Sequence, residues 1–181
     1  MKKRNPNLKL YGISILCVIA GILLDQWTKF LAAARLMDAP VSLIDGVFEL
    51  RYLENRGAAF GMFQDKQWFF LLIGCVLSVV IVFLYVRLPV TKRNVPLRVC
   101  MVLILAGAVG NMIDRMRLNY VIDFLYLKLI DFPIFNVADI YVTMATLGIV
   151  VLILFYYKEE ELNTFWESFF GKRKKDAGVI E

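Results

Sequence analysis

The chain contains no histidine. That single absence removes Ser-His and Cys-His nucleophilic catalysis and the histidine-based zinc sites of metallopeptidases. Cysteine is scarce as well: Cys17, Cys75 and Cys100 all fall in apolar runs, and no CxxC pair offers redox or zinc chemistry. Charge is sparse, at 20% of 181 residues against 60% hydrophobic, and the mean hydropathy of +0.65 belongs to membrane proteins. No internal repeat or low-complexity linker divides the chain. Acid–base chemistry must therefore come from carboxylates, Lys or Tyr, and no cofactor and no metal is expected.

What is present is apolar sequence in four runs, at residues 10–24, 68–86, 99–113 and 140–157. A spanning helix needs roughly 17–25 residues, so the second and fourth runs suffice alone. The first and third span only if "DQWTK" and "NMIDR" lie at the interface or inside the protein. The first run passes into "LLDQWTKFLAAA" without a small-x-small cleavage site, so it reads as a span and not a leader. Lys and Arg concentrate in residues 1–9, in the connector 87–98 and from Lys158 onward, which together hold thirteen of the 21. Four spans put these segments on one side, and the positive-inside rule makes it the cytoplasm. The net charge of +5 reflects that topology and gives no support to nucleic-acid binding. In the outer connector 37–66, "DG" at Asp45–Gly46 signals a turn. "VFELRYLEN" then alternates, with Phe48, Leu50 and Tyr52 on one face and Glu49 and Arg51 on the other, as in a strand. A small sheet resting on the membrane is one reading and a plain surface loop the other. The small residues of "NRGAAFG" permit tight turns. The tail carries Leu162, Phe165, Trp166, Phe169 and Phe170 at helical spacing and then four basic residues, which suggests an interfacial helix held by anionic lipid. The chain is thus expected to divide into a transmembrane domain at 1–157 and a cytoplasmic tail at 158–181.

With that topology the costly polar residues fall at one membrane level. The first span brings Asp25 and Lys29 to its outer end, and the third brings Asn111, Asp114 and Arg115. The fourth begins there with Asn136 and Asp139, Asp123 lies just before it, and the outer loop adds Asn55 and Arg56. Intramembrane ionisable groups are candidates for function by default. Asp25 and Lys29, four apart, also fit a plain interfacial salt bridge. Asn111 with Asp114 and Arg115 also fits a structural hydrogen-bond network. Asn136-x-x-Asp139 has the form of a helix cap with an acid in the first turn, and Asp131, beside Pro133, reads as a solvated loop residue. Asp123 has no partner in "YVIDFLYL", so the fold must bring one.

Two carboxylates sharing a water can hydrolyse an amide without histidine, one ionised as base and one protonated to polarise the carbonyl. Asp123 and Asp139 suit that role. A first-turn position favours the charged form by about 0.3–1 kcal/mol, so Asp139 is expected to be the ionised partner and Asp123 to carry the proton. The rivals are a proton-coupled carrier, which prefers polar groups near mid-membrane, and a non-enzymatic assembly or lipid-binding protein. A Ser-Lys peptidase is weaker, because no serine stands beside a lysine in the outer cluster.

The blocks "DQWTK", "ENRGAAFG", "AGAVGNMIDR", "VIDF" and "FNVADI" resemble, in order and spacing, those of the lipoprotein signal peptidases, signal peptidase II. The resemblance covers about residues 10–157. It implies an all-α membrane protein of four transmembrane helices with a small extracytoplasmic β-sheet in the loop between helices 1 and 2. It implies an aspartic dyad of Asp123 and Asp139, with Asp25, Asn55, Asn111, Arg115 and Asn136 lining or supporting the substrate site. Arg56 and Gly107, in the same blocks, join the substrate-binding candidates, with Lys29 and Asp114 in support. The implied reaction cuts a prolipoprotein signal peptide before a diacylglyceryl-modified cysteine, at the outer edge of the bacterial cytoplasmic membrane. The expected partners are such precursors and membrane lipids, with the enzyme a monomer. Asn119 stands where the family carries Gly, and Asn is the residue after Gly that best tolerates a left-handed backbone.

Overall fold

The protein is described here by a computed structural model covering residues 6–57 and 66–170. The chain runs α1 (Pro6–Arg35), β1 (Val41–Ile44), β2 (Phe48–Asn55), α2 (Gln67–Arg87), α3 (Val95–Leu118), β3 (Val121–Leu127), α4 (Val137–Val151) and α5 (Glu159–Phe170). A π-helical turn, Leu152–Tyr156, extends α4. Among the described residues, four helices are long and apolar enough to cross a membrane: Leu8–Arg35, Gln67–Arg87, Lys92–Leu118 and Val137–Tyr156. Their polarity is inverted relative to a soluble bundle. Leu72, Val79, Leu154 and Phe155 are exposed while Asp25, Lys29 and Asn136 are buried, an arrangement stable only when the solvent is hydrocarbon.

Local sequence sets the helix ends. Pro96 lies in the first turn of α3, where its missing N–H costs nothing, and Asn119 closes that helix in the left-handed region at φ 63°. Asn119 thus does what glycine would do there. At α4, Asn136 accepts from the Asp139 N–H while the Asp139 carboxylate accepts from the Asn136 N–H, a reciprocal capping box.

α3 is the central helix and touches α1, α2 and α4. Gly107 allows the closest approach, since a Cβ there would lie 2.5 Å from the Ala138 carbonyl oxygen. The strands form one antiparallel sheet in the order β1-β2-β3. Only β1 and β2 come from the loop between α1 and α2. The third strand comes from the α3–α4 connector, and it contains Asp123. Ala32 of α1 and Leu36, just past its end, pack on Ile122 and Phe124, which ties the sheet to the bundle. Leu50 and Tyr52 pack toward the bundle as the alternation expects, while Glu49 between them is buried as well, held by Lys128 and Arg51. A carboxylate can be buried when cations cover it.

At the opposite end, Leu162 and Phe165 of α5 pack with Leu88, Leu97, Met101 and Tyr157. The apolar face expected to meet lipid is therefore used, in part, against the bundle. The basic run 172–175, the side chains of Phe169 and Phe170, and residues 58–61 of "NRGAAFG" lie outside the described residues. Cys17 and Cys75 are exposed on the helix surface and Cys100 is half-buried, all three as free thiols.

Candidate active site

The sheet end of the bundle holds the polar cluster, and the backbone assembles it in two steps. First, the β2–β3 register sets Leu53 opposite Asp123 and Asn55 opposite Val121, with an irregularity between Leu50 and Leu53. From there the Asn55 amide donates to Asp123 Oδ2 at 2.8 Å. Second, Phe135 pairs with Leu125 through mutual N–H···O bonds of 2.8 and 3.0 Å, so that Asn136 arrives beside Asp123. Its amide donates to Asp123 Oδ1 at 2.6 Å. The partner missing from "YVIDFLYL" is thus a pair of asparagines, one from each side.

Asn136 joins the two aspartates. Its side chain reaches Asp123, and its backbone N–H donates to Asp139 Oδ2 at 3.1 Å. Asp139 Oδ1 accepts from the Asn111 amide at 2.9 Å. Burial first, and then the nearby Asp139 carboxylate, push the Asp123 carboxyl from 3.8 up to about 7; the Asn55 and Asn136 donors and Lys29 pull the other way. A carboxyl so placed holds its proton to a far higher pH than a free one.

Behind this pair lies a buried ionic cluster. Lys29 contacts Asp25 and Asp114 at 2.9 Å each. Asp25 Oδ1 accepts the Ala138 N–H at 2.9 Å, so it caps α4 from another helix, and Asp114 accepts the Ile122 N–H at 3.2 Å. Gly110 makes room, because a Cβ there would sit 2.6 Å from Asp25 Oδ2. The salt-bridge reading of Asp25 and Lys29 is therefore right in its pairing, but the pair is wholly buried and has a third member.

A cavity of about 1040 Å³ opens in front of the two aspartates. Asn55, Arg56, Arg115, Asp123 and Asp139 line it. Four other substrate-binding candidates stand behind its wall: Asp25, Asn111 and Asn136 hold other groups in place, and Gly107 serves helix packing. Lys29 and Asp114 stand there too, as support. Arg56 pairs with Glu54 at 3.0 Å, and the Arg115 guanidinium lies over the Phe70 ring. Sequence reasoning missed Phe70, Ile140, Thr143 and Met144 on the cavity wall, which look like ordinary span residues. It also missed Gln26, which donates to Asp114 at 2.8 Å. Asp131 is exposed as expected, yet it lines the cavity, takes a left-handed φ of 48° and accepts the Tyr126 hydroxyl at 2.6 Å. Among the described residues no cluster of His, Cys, Asp or Glu is placed to hold a metal ion.

A family model described as Signal peptidase (SPase) II matches residues 17–157. A lipoprotein signal peptidase of Streptococcus pyogenes serotype M5 is 38% identical over 162 residues, covering 89% of this chain and 98% of the relative. One of Clostridium tetani is 40% identical over 152 residues, covering 82% and 94%. Two solved bacterial membrane enzymes share the fold. One has a TM-score of 0.71 at 28% identity and covers 93% of this chain and 95% of its own. The other has a TM-score of 0.69 at 30% identity and covers 81% and 95%.

Proposed function

The chain belongs to the signal peptidase II family, a multi-pass bacterial membrane peptidase that removes signal peptides from prolipoproteins, and from that premise we propose an aspartic mechanism with Asp123 and Asp139 as the acid–base pair. One observation carries the proposal: two carboxyls from different elements meet on one cavity wall, bridged by Asn136. A carrier or an assembly protein is not favoured. The polar cluster sits at one end of the bundle, not at mid-membrane.

In the proposed reaction, ionised Asp139 takes a proton from a water held between the carboxyls, and the water oxygen attacks the scissile carbonyl. Protonated Asp123 gives its proton to the carbonyl oxygen, which yields a neutral tetrahedral diol. Asp139 then returns its proton to the nitrogen as the C–N bond breaks, and a diol hydroxyl restores the proton of Asp123. Both carboxyls end as they began. The bond cut is the one before the diacylglyceryl-modified cysteine.

The cavity suits such a substrate. Asn55, Arg56 and Arg115 supply hydrogen-bond donors for the peptide, while Phe70, Ile140 and Met144 offer an apolar side at the ends of α2 and α4. The sheet end is assigned to the outer face and both termini to the cytoplasm, with residues 1–157 the peptidase domain, 158–181 a tail on membrane lipid, and the enzyme a monomer. Burial of acyl chains in the bilayer contributes roughly 0.8 kcal/mol per CH₂, which holds a lipidated cysteine at the depth of the dyad. Gel-based processing of a lipidated precursor by the purified protein and its Asp139→Asn variant tests the mechanism. Loss of cleavage in the variant is expected, and near-normal cleavage defeats it. Equal rates on lipidated and unlipidated precursors defeat the lipid assignment, and a reporter fusion that places Lys172 outside defeats the topology.

A further inference from the structure

Lys29 is 1% exposed and does not line the cavity. A buried ammonium persists only when its charge and its three N–H donors are met. Asp25 and Asp114 meet two donors at 2.9 Å, and the third goes to Asn111 Oδ1 at 2.7 Å. That third bond is the informative one, because Asn111 in turn donates through Nδ2 to Asp139 Oδ1 at 2.9 Å.

An asparagine amide is nearly symmetric in shape and opposite in chemistry at its two ends. Lys29 and the Asn136 amide both donate to Asn111 Oδ1, at 2.7 and 3.1 Å. A flipped Asn111 would turn N–H groups toward those two donors. It would also turn its oxygen toward Asp139, where only a protonated carboxyl could answer. The orientation present offers N–H to Asp139 and suits an ionised carboxylate.

We propose that Lys29 is a positioning residue for the dyad: its charge locks the Asn111 amide with Nδ2 toward Asp139, which commits Asp139 to the ionised role and leaves the proton on Asp123. The inference rests on the aspartic mechanism and extends it to a residue that touches neither carboxyl. Lys29 also lowers the raised Asp123 carboxyl through its charge. The other charged groups around the pair are Asp25 on α1, Asp114 and Arg115 on α3, and Glu54 with Arg56 at the end of β2. Arg51, Tyr126 and Asp131 complete the titratable part of the cavity wall. All but Asp114 stay in place in the variants below.

Two variants cut the same link at different points. Lys29→Met/Asp114→Asn removes one charge of each sign and so keeps the net charge of the buried cluster. Asn111→Leu removes the amide and keeps Lys29. Full-length protein in detergent, acting on a lipidated precursor, should show a roughly tenfold loss of kcat in each, with KM within about twofold. In both, the acid limb of kcat/KM should move to higher pH, because ionised Asp139 has lost its fixed donor. Combining them should move the limb no further, since both act through one chain of contacts. An unmoved limb in either folded variant overturns the proposal, as do shifts that add in the combination. If the charge-balanced variant cannot be isolated folded, Asn111→Leu decides alone by the same limb. Failure of the aspartic mechanism reads differently: the Asp123→Asn or Asp139→Asn enzyme would remain active.

Discussion

Buried charge occurs at both ends of the bundle, and the two ends use it differently. At the end carrying α5, Arg98 is buried and donates to the Tyr85 and Leu88 carbonyls, which satisfies the C-terminus of α2. Arg93 grips Glu161 through two bonds of 3.0 and 3.1 Å and holds its carboxyl below the usual range, while also donating to the Tyr156 carbonyl. At the sheet end, buried carboxylates outnumber buried cations, and the cavity wall carries Asp123 and Asp139 together with the more exposed Glu54 and Asp131. An orphaned guanidinium nitrogen does not tell the ends apart, because the Nε atoms of Arg98 and Arg115 are both buried without a partner. The difference lies in what remains open. Both ends use charge to close backbone, and the sheet end also leaves an acid pair facing space.

The largest expected effect breaks the comparison outright. Asp123→Asn and Asp139→Asn should each cut kcat on a lipidated precursor by roughly 10³-fold or more while the protein still inserts and melts cooperatively. Cleavage near the parent rate would place the chemistry elsewhere. Arg98→Met should do the reverse. Leaving the two α2 carbonyls unpaired costs about 1–3 kcal/mol, read as a lower melting temperature in detergent, with kcat unchanged. A loss of kcat without a loss of stability would mean that the far end also serves catalysis.

Asn136→Ala sharpens the contrast within the site. Loss of a cap costs about 0.5–2 kcal/mol, and the acid limb of kcat/KM should move to higher pH as Asp139 loses support. A limb that stays put or moves down would separate the capping box from the chemistry. The smallest effect is a pH dependence of stability. Asp123 in the folded protein titrates near 7 against 3.8 for the free group, so the folded state retains a proton that the unfolded chain releases. Stability from this group is therefore lost as pH rises between those values. Asp123→Asn removes that dependence, so its melting temperature relative to the parent should climb between about pH 4 and pH 7. A constant difference would show that Asp123 is not held protonated.

Much of this was legible in the sequence because the signals are local. Hydropathy marks the spans, and Asn136 with Asp139 announces its capping box within four residues. Asn119 takes the left-handed turn for a reason intrinsic to its side chain. The burial of Glu49 was not legible, because Lys128, which covers it, stands 79 residues away. The third strand was hidden for a similar reason. "VIDFLYL" is buried through its first half, so it shows no alternation, and its pairing partner lies in another loop.

The sequence by itself determined the membrane class, the four spans and the helix caps at Asn119 and Asn136, and it singled out Asp123 and Asp139 as the candidate acid pair. Each of these depends on short-range periodicity, side-chain chemistry or a family motif. Only the tertiary structure decided which polar residues face the cavity and which stand behind it. It placed Asp25, Gly107, Asn111 and Asn136 behind the cavity wall and joined Lys29 to Asp139 through one amide. Those relations are distances between helices and strands far apart in the chain. A hydrogen bond with one geometry at each end can be fixed only when the backbones that carry it are packed together.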